Sequence, residues 1–171
     1  NTEKLIYAIN KECNEFFQNS LYANKFAYEY LLSRGLSDDV VRKYKLGFCP
    51  EHEKLVSFLN SRGYELDQIK QTDFLIQNKK NEFFGRFSKR ITFPIFNFSN
   101  FLVGFGGRDL GKSKIKYINS QENLIFKKSQ VLFGFNENIE SIRKKNEILL
   151  VEGYMDVIKL YNSGLRNSVS S

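Results

Sequence analysis

The feature that most constrains the fold is a change of pattern near the carboxyl end of the chain. Residues 148–151 form a continuous apolar run, as expected of a buried parallel strand. Glu152 and Gly153 follow, then a helical pattern over residues 155–162 and the start of a second strand over residues 167–171. Parallel strands need a crossover connection, usually a helix. The sequence therefore predicts a βαβ unit, and we expect a complete domain to continue beyond its second strand.

Two other regions precede this unit. The first 75 residues show short helical patterns, with helix starts at Asn24 and at Ser37. Residues 90–96 and 101–105 are rich in β-formers and flank a turn, which predicts a hairpin. Pro94 cannot donate a ladder hydrogen bond, so its strand is expected to lie at an edge or to be bulged there. The glycines between residues 104 and 107 indicate a close backbone approach, to either a packed neighbour or a phosphate.

The predicted fold class is therefore α/β: an α+β amino-terminal subdomain followed by the first βαβ unit of a second one. We place the boundary between residues 1–135 and 136–171. The first part divides again into a helical stretch, 1–75, and a β-rich basic stretch, 82–135.

Positive charge is concentrated in one stretch. The 171-residue chain has a formal net charge of +7. Residues 79–130 hold 11 Lys or Arg and 3 Asp or Glu, a balance of +8, so the remainder is close to neutral at −1. Such asymmetry is typical of a face that binds a polyanion. A solvated basic surface with no partner is the equally weighted alternative.

Several function classes find no support in the composition. No apolar run approaches the roughly 20 residues of a membrane helix, and no secretory signal opens the sequence. Cys13 and Cys49 are the only cysteines, and His52 is the only histidine. Because these residues cannot form a zinc site, both thiols are expected to be small buried groups in a reducing compartment.

Glu152 is the sharpest candidate for chemistry. It directly follows the apolar run, where open α/β sheets place their ligands. Asp156 lies four residues later, in the first turn of the predicted helix. Two carboxylates there suit Mg²⁺, which prefers oxygen ligands. Alternatively, both acids only stabilise the helix amino terminus electrostatically.

A second candidate set is basic and lies around the hairpin. Tyr117 and Phe126 are interleaved with it, and cations with aromatic rings are the usual pattern for binding single strands. For each cation a solvated surface role is the alternative, and for Phe126 the alternative is a place in the core. The cationic members are Arg86, Arg90, Arg108, Lys112, Lys114, Lys116, Lys127 and Lys128.

The order of several motifs resembles the catalytic core of bacterial DnaG-type primases. Residues 151–157, Val-Glu-Gly-Tyr-Met-Asp-Val, resemble the opening motif of the TOPRIM domain in the form that these primases use. Further motifs of the core match in the same order at residues 86–87, 90–95, 103–108, 116–120, 126–128 and 132–134.

The resemblance implies a function and a set of roles. Such enzymes copy single-stranded DNA into short RNA primers from ribonucleoside triphosphates, using Mg²⁺ or Mn²⁺, in the bacterial cytoplasm. Glu152 would be the conserved acid of the metal site, with Asp156 beside it. Residues implied near nucleotide and template are Arg86, Arg90, Arg108, Lys116, Tyr117, Asn119 and Lys128.

The chain also departs from the full family pattern. No Asp-x-Asp pair follows Glu152, although the family carries one on a later TOPRIM strand. The amino-terminal zinc module and the carboxyl-terminal domain that contacts the replicative helicase are not in this sequence. We therefore expect this segment alone to show at most weak, salt-sensitive binding of single-stranded DNA or nucleotides, and not to synthesise primers.

Three other assignments remain open from the sequence. One is another TOPRIM enzyme, such as a topoisomerase or a nuclease, against which the motifs at residues 106–108 and 116–120 argue. A phage or organellar primase–helicase is closer. The third is a non-catalytic TOPRIM-like module that binds single-stranded nucleic acid.

Overall fold

The computed structural model describes residues 1–171, and it contains seven α-helices and eight strands. The helices are α1 (Thr2–Ala23), α2 (Lys25–Ser33), α3 (Asp38–Lys43), α4 (His52–Ser61), α5 (Leu66–Ile69), α6 (Phe135–Lys145) and α7 (Tyr154–Asn162). The strands are β1 (Gly47–Cys49), β2 (Leu75–Gln77), β3 (Phe83–Gly85), β4 (Arg90–Phe96), β5 (Leu102–Asp109), β6 (Tyr117–Asn119), β7 (Leu149–Val151) and β8 (Ser168–Ser170). None of the helices is both long and apolar enough to cross a bilayer.

The strands form three sheets. The main sheet has the order β1-β4-β5-β6 and is antiparallel throughout. Strands β2 and β3 form a separate antiparallel pair, and β7 pairs in parallel with β8. The α/β class, the hairpin and the βαβ unit predicted from the sequence are thereby confirmed.

Side-chain caps start the helices where the sequence predicts them. The Asn24 side chain accepts a hydrogen bond from the Ala27 N–H at 3.0 Å, and Ser37 caps α3 through the Val40 N–H at 3.3 Å. Gly35, between these helices, has a φ of +85°, a value that glycine adopts without steric cost. The helices therefore end and begin within a tight connection.

The helical assignment of residues 1–75 misses one short strand, β1. β1 pairs with the first half of β4, with Gly47 opposite Thr92. A Cβ at Gly47 would lie only 2.6 Å from the Phe17 Cβ of α1, so a larger residue would separate helix and sheet. Three residues are too few to show the alternation of apolar and polar residues that is typical of a strand, so the sequence does not indicate β1.

Of the two alternatives expected for Pro94, the edge position is wrong. β4 is an inner strand of the sheet, but an irregularity of the strand does lie close to Pro94. Proline is tolerated because the pairing with β1 stops at Thr92, and the register with β5 shifts one residue later, between Ile95 and Phe96.

The close backbone approach predicted for the glycines of β5 is to packed side chains. A Cβ at Gly106 would collide with the ring of Tyr154 on α7. A Cβ at Gly107 would lie 2.8 Å from the ring of Phe87. Of the two alternatives left open by the sequence, packing is the one observed.

Two apolar clusters hold these elements together. One joins α2, α3, β4 and α7, and the other joins α1, α4 and the opposite side of β5. Cys13 and Cys49 are both free thiols buried in the second cluster, and burial raises the pKa of each thiol well above its ordinary value. Their predicted role as small buried groups is confirmed.

Strand β7 is less buried than the sequence predicts. Leu150 is 69% exposed and Ile148 is 44% exposed. β7 pairs along one edge only, with β8, and its outward side chains meet no other layer. By contrast, Val157 and Ile158 on α7 are fully buried, so the apolar face of this unit is the one that packs on the main body.

Candidate functional site

A cleft lies where the basic stretch meets the βαβ unit. Its volume is about 470 Å³, and it opens between β6 and the amino-terminal turn of α7. Four of the residues predicted from the sequence line it together. These are Tyr117, Asn119, Glu152 and Asp156.

Asn119 joins the two sides of this cleft. Its side-chain oxygen accepts a hydrogen bond from the Tyr154 hydroxyl, across from β6 to α7. Burial raises the pKa of Tyr154 to about 12, so the hydroxyl stays protonated and remains a donor. The carbonyl of Asn119 accepts from Arg86, at 2.9 Å from Nε and 2.6 Å from Nη2. Asn119 is thus held through both its side chain and its backbone.

Arg86 is committed to this support. Besides the Asn119 carbonyl, its Nε lies 3.4 Å from Oδ2 of Asp73. Asp73 in turn accepts a hydrogen bond from the Gln121 N–H at 2.8 Å, and burial raises the pKa of its carboxyl. The guanidinium therefore fixes the end of β6, and its predicted contact with nucleotide or template stays a prediction.

Arg90 supports the same strand from inside the protein. Its side chain is buried, and its guanidinium donates to the carbonyls of Ile115 and Lys116 at 3.1 Å each. Burial lowers the pKa of Arg90 from its ordinary value, although no ordinary pH deprotonates a guanidinium. In this structure Arg90 positions the segment that carries Lys116 and Tyr117.

Arg108 has a different environment, since it lies over aromatic rings. Its guanidinium carbon is 5.3 Å from the ring centroid of Tyr117 and 5.7 Å from that of Tyr30. Partial burial raises the pKa of Tyr117, so its hydroxyl is neutral. Tyr117 itself is 47% exposed. Stacked guanidinium and phenol groups of this kind offer a flat, cationic surface to a base or a phosphate.

Among the residues implied near nucleotide and template, Lys116 and Lys128 are the exposed cations. The Lys116 ammonium is 3.4 Å from the carbonyl of Gly111, and the Lys128 backbone N–H donates to Glu122 at 2.8 Å. Neither ammonium has a carboxylate within 4.0 Å. Both are therefore free to contact phosphates.

The two acids of the cleft differ in their freedom. Glu152 is exposed and makes no ion pair, whereas Asp156 accepts a hydrogen bond from the Gly153 N–H at 3.1 Å. Asp156 therefore caps α7, as the alternative interpretation of the sequence holds, and keeps one oxygen for other partners. No group of three or more Asp, Glu, His or Cys side chains lies together in the chain. Glu152 and Asp156 are therefore the two carboxylates that the cleft could offer to a divalent cation, whose other ligands would be water and substrate phosphates.

Three further cleft residues were missed from the sequence. Arg34 arrives from the end of α2, because the Asn162 amide donates to the Gly35 carbonyl at 2.9 Å and accepts from the Ser37 N–H at 3.1 Å. Lys159 lies one turn after Asp156, a spacing that could have indicated it. Tyr154 stood within the recognised motif but had no assigned role.

Comparison with known proteins gives a consistent result. Residues 16–139 match the family model described as "DNA primase catalytic core, N-terminal domain". A DNA primase of Campylobacter jejuni is 37% identical over 169 residues, which cover 98% of this chain and 28% of the relative. The DNA primase of Aquifex aeolicus is also 37% identical, with 98% of this chain and 34% of the relative covered. The chain therefore spans about a third or less of these curated relatives.

Solved structures agree. The Aquifex aeolicus primase, comprising zinc-binding and RNA polymerase domains, superimposes with a TM-score of 0.92 at 35% identity, over 99% of this chain and 42% of that one. A DnaG primase catalytic domain bound to single-stranded DNA gives a TM-score of 0.89 at 33% identity, over 99% of this chain and 56% of that one.

Proposed function

Because this chain belongs to the family of the DnaG-type primase catalytic core, we propose that it forms the template-binding part of an enzyme that synthesises RNA primers on single-stranded DNA. One observation carries the proposal. The same cleft holds an exposed acid, Glu152, and the cationic aromatic pair of Arg108 and Tyr117 lies at its rim.

The cationic side would bind the nucleic acid. Lys116 and Lys128 neutralise phosphates of the template, and Tyr117, backed by Arg108, stacks on a base. Arg86 and Arg90 act behind this surface by holding the backbone of residues 115–119. A similar DnaG catalytic domain has been solved bound to single-stranded DNA, which supports a template-binding role but assigns no contact to a particular residue.

The acidic side would serve the incoming ribonucleoside triphosphate. Glu152 and the free oxygen of Asp156 would hold Mg²⁺ or Mn²⁺, which neutralises charge on the transferring phosphate. Arg34 and Lys159, on the same cleft, would contact triphosphate oxygens. The reaction joins a primer 3′-hydroxyl to the α-phosphate of the nucleotide and releases pyrophosphate.

The proposal extends to the polypeptide of which this chain is part. Residues 1–135 form the amino-terminal subdomain of the core, and residues 136–171 open a TOPRIM subdomain. Zinc belongs to an amino-terminal module, and the replicative helicase binds through a carboxyl-terminal domain, in a primosome of the bacterial cytoplasm.

A segment exchange tests this function. Residues 1–171 replace the matching segment of the Aquifex aeolicus primase, and primer synthesis is measured on single-stranded DNA. We expect the hybrid to make primers. Glu152→Gln in the hybrid is expected to reduce synthesis by about 100-fold or more, with little change in DNA affinity.

The matched control is Glu140→Gln, which removes an exposed carboxylate from α6 outside the cleft. It should leave synthesis unchanged. Full activity of the Glu152→Gln hybrid would refute the metal role. A hybrid that binds DNA tightly but makes no primers would favour the non-catalytic binding module.

A further inference from the structure

A second cavity lies on the other side of the main sheet, between α1 and the turn of the β4–β5 hairpin. Its volume is about 530 Å³, which falls within the range of roughly 300–1,000 Å³ typical of small-molecule sites. It shares no residue with the cleft that contains Glu152. One face of α1 contributes Tyr7, Lys11, Asn14 and Gln18 to its wall.

Asn14 on this wall has an unsatisfied acceptor. Its side chain is 93% buried, with 7% of its surface exposed, and Oδ1 has no hydrogen-bond partner. A buried acceptor without a donor costs about 1–3 kcal/mol. The oxygen is also closed to solvent, so an N–H donor from a bound molecule could satisfy it only after the side chain turns toward the cavity.

Two ammonium groups lie on the same cavity. Lys11 projects from α1, and Lys45 precedes β1 with a φ of +53°. The Lys45 ammonium is 5.0 Å from the ring centroid of Phe96, a contact that holds it at the cavity wall. Neither lysine has a carboxylate within 4.0 Å, although Glu15 also lines the cavity. Both ammonium groups are therefore available to an anion.

Aromatic rings complete the wall. Phe101 is 57% exposed, and its ring lies 5.5 Å from that of Tyr7, centroid to centroid. Asn97 of the hairpin turn accepts hydrogen bonds from the N–H groups of Ser99 and Phe101 at 3.0 Å each, which fixes the position of this ring. A flat apolar ligand can stack there.

From these four features we propose that the cavity binds a mononucleotide. Its base stacks on Phe101 and donates an N–H to Asn14, and its phosphate lies between Lys11 and Lys45. The site is separate from the polymerisation cleft and needs no metal ion. It stands on residues that the proposed function does not use.

The test is calorimetric titration of the 171-residue chain with GMP in EDTA. GMP is expected to bind at least about tenfold more tightly than either guanosine or inorganic phosphate, because it alone makes both sets of contacts. Equal binding of phosphate and GMP would reduce the cavity to an anion site and overturn the proposal. Absence of GMP binding would overturn it too.

Paired variants locate the binding. Lys11→Glu should weaken GMP binding by about tenfold or more, whereas Lys4→Glu, the same charge change on α1 away from the cavity, should not. Lys159→Glu, which removes a cation from the cleft that contains Glu152, should also leave GMP affinity unchanged. A loss of binding in Lys159→Glu would move the nucleotide to that cleft and contradict the proposal.

Asn14→Leu separates binding from folding. The change removes the unsatisfied acceptor at similar side-chain volume, so the melting temperature should stay equal or rise. GMP affinity should nevertheless fall. A variant that melts normally and still binds GMP with full affinity would exclude Asn14 from the site.

Discussion

The arginines of the basic stretch serve two different purposes. Arg90 is buried and donates hydrogen bonds to backbone carbonyls, including that of Lys116. Arg86 likewise donates to the backbone carbonyl of Asn119. Arg108 instead lies over Tyr117 at the rim of the cleft. Removal of Arg90 would therefore disturb the protein's own backbone, whereas removal of Arg108 would chiefly alter what the surface presents.

Gly106 carries a prediction at this scale. In Gly106→Ala the new methyl group would enter the space of the Tyr154 ring, which is packed against Phe93 and Phe133. Overpacking of this kind costs about 1–3 kcal/mol. We expect the free energy of unfolding, measured by urea denaturation, to fall by that amount.

Gly111→Ala is the matched control. A Cβ at Gly111 would lie 3.6 Å from its nearest neighbour, an oxygen of Asp109, which is an ordinary contact. Its free energy of unfolding should match the parent within about 0.5 kcal/mol. Equal effects of both substitutions would show that Tyr154 yields freely.

Site residues were predictable from sequence to the extent that the backbone alone places them. Glu152 follows a strand and precedes a helix, so its location in the cleft follows from the βαβ pattern. The buried position of Arg90 depends on the backbone carbonyls of the distant residues 115 and 116, and no local pattern reveals that contact. Arg34 precedes a turn that Asn162 holds by hydrogen bonds over 125 or more residues, and no local pattern reveals that contact either.

At the scale of elements, local signals defined the helices and long-range pairing defined the short strands. Asn24 and Ser37 indicate where α2 and α3 begin, because a capping side chain accepts a hydrogen bond from an N–H only three residues later. β1 forms because it pairs with β4, and its own three residues are too few to indicate a strand. The inner position of Pro94 likewise depends on where β1 stops.

The cap of α2 yields a second prediction. Asn24→Ala removes the acceptor for the Ala27 N–H and should destabilise the protein by about 1 kcal/mol. Thermal unfolding followed by circular dichroism measures the change. Because α2 ends directly before Arg34, fraying of this helix should also make the position of Arg34 in the cleft less fixed.

Asn60→Ala tests whether the effect belongs to the cap. The substitution is chemically identical but lies inside α4, where alanine has the better helix propensity. Stability should remain equal or rise slightly. If Asn24→Ala were as harmless as Asn60→Ala, the cap would contribute nothing measurable.

At the scale of the whole molecule, charge is separated from the apolar cores. The charge surplus of +8 in residues 79–130 is carried largely by exposed lysines. Apolar side chains of β4 and β5, by contrast, contribute to the two buried apolar clusters. A surface of this kind binds a single strand mainly by releasing counterions. Affinity for single-stranded DNA should therefore fall steeply as salt is added.

The salt slope gives a third prediction. The double variant Lys116→Gln/Lys128→Gln should reduce the slope of log K against log salt concentration by about 1.4, at roughly 0.7 for each lost phosphate contact with a single strand. Fluorescence anisotropy with an oligo-dT strand at several salt concentrations measures it.

The comparison variant is Lys4→Gln/Lys25→Gln, which removes two exposed charges from α1 and α2. Its slope should equal that of the parent chain. Equal reductions in both double variants would mean that net charge, and not the location of Lys116 and Lys128, governs binding.

Asn119 fixes the distance between the two sides of the cleft. Arg86 donates hydrogen bonds to its backbone carbonyl, and the Tyr154 hydroxyl donates one to its side chain. The spacing between the ring of Tyr117 and the turn that carries Glu152 is therefore set before a ligand binds. A ligand too wide for this gap would have to break one of these partly buried hydrogen bonds. We therefore expect Asn119 to limit the width of the ligand that the cleft accepts.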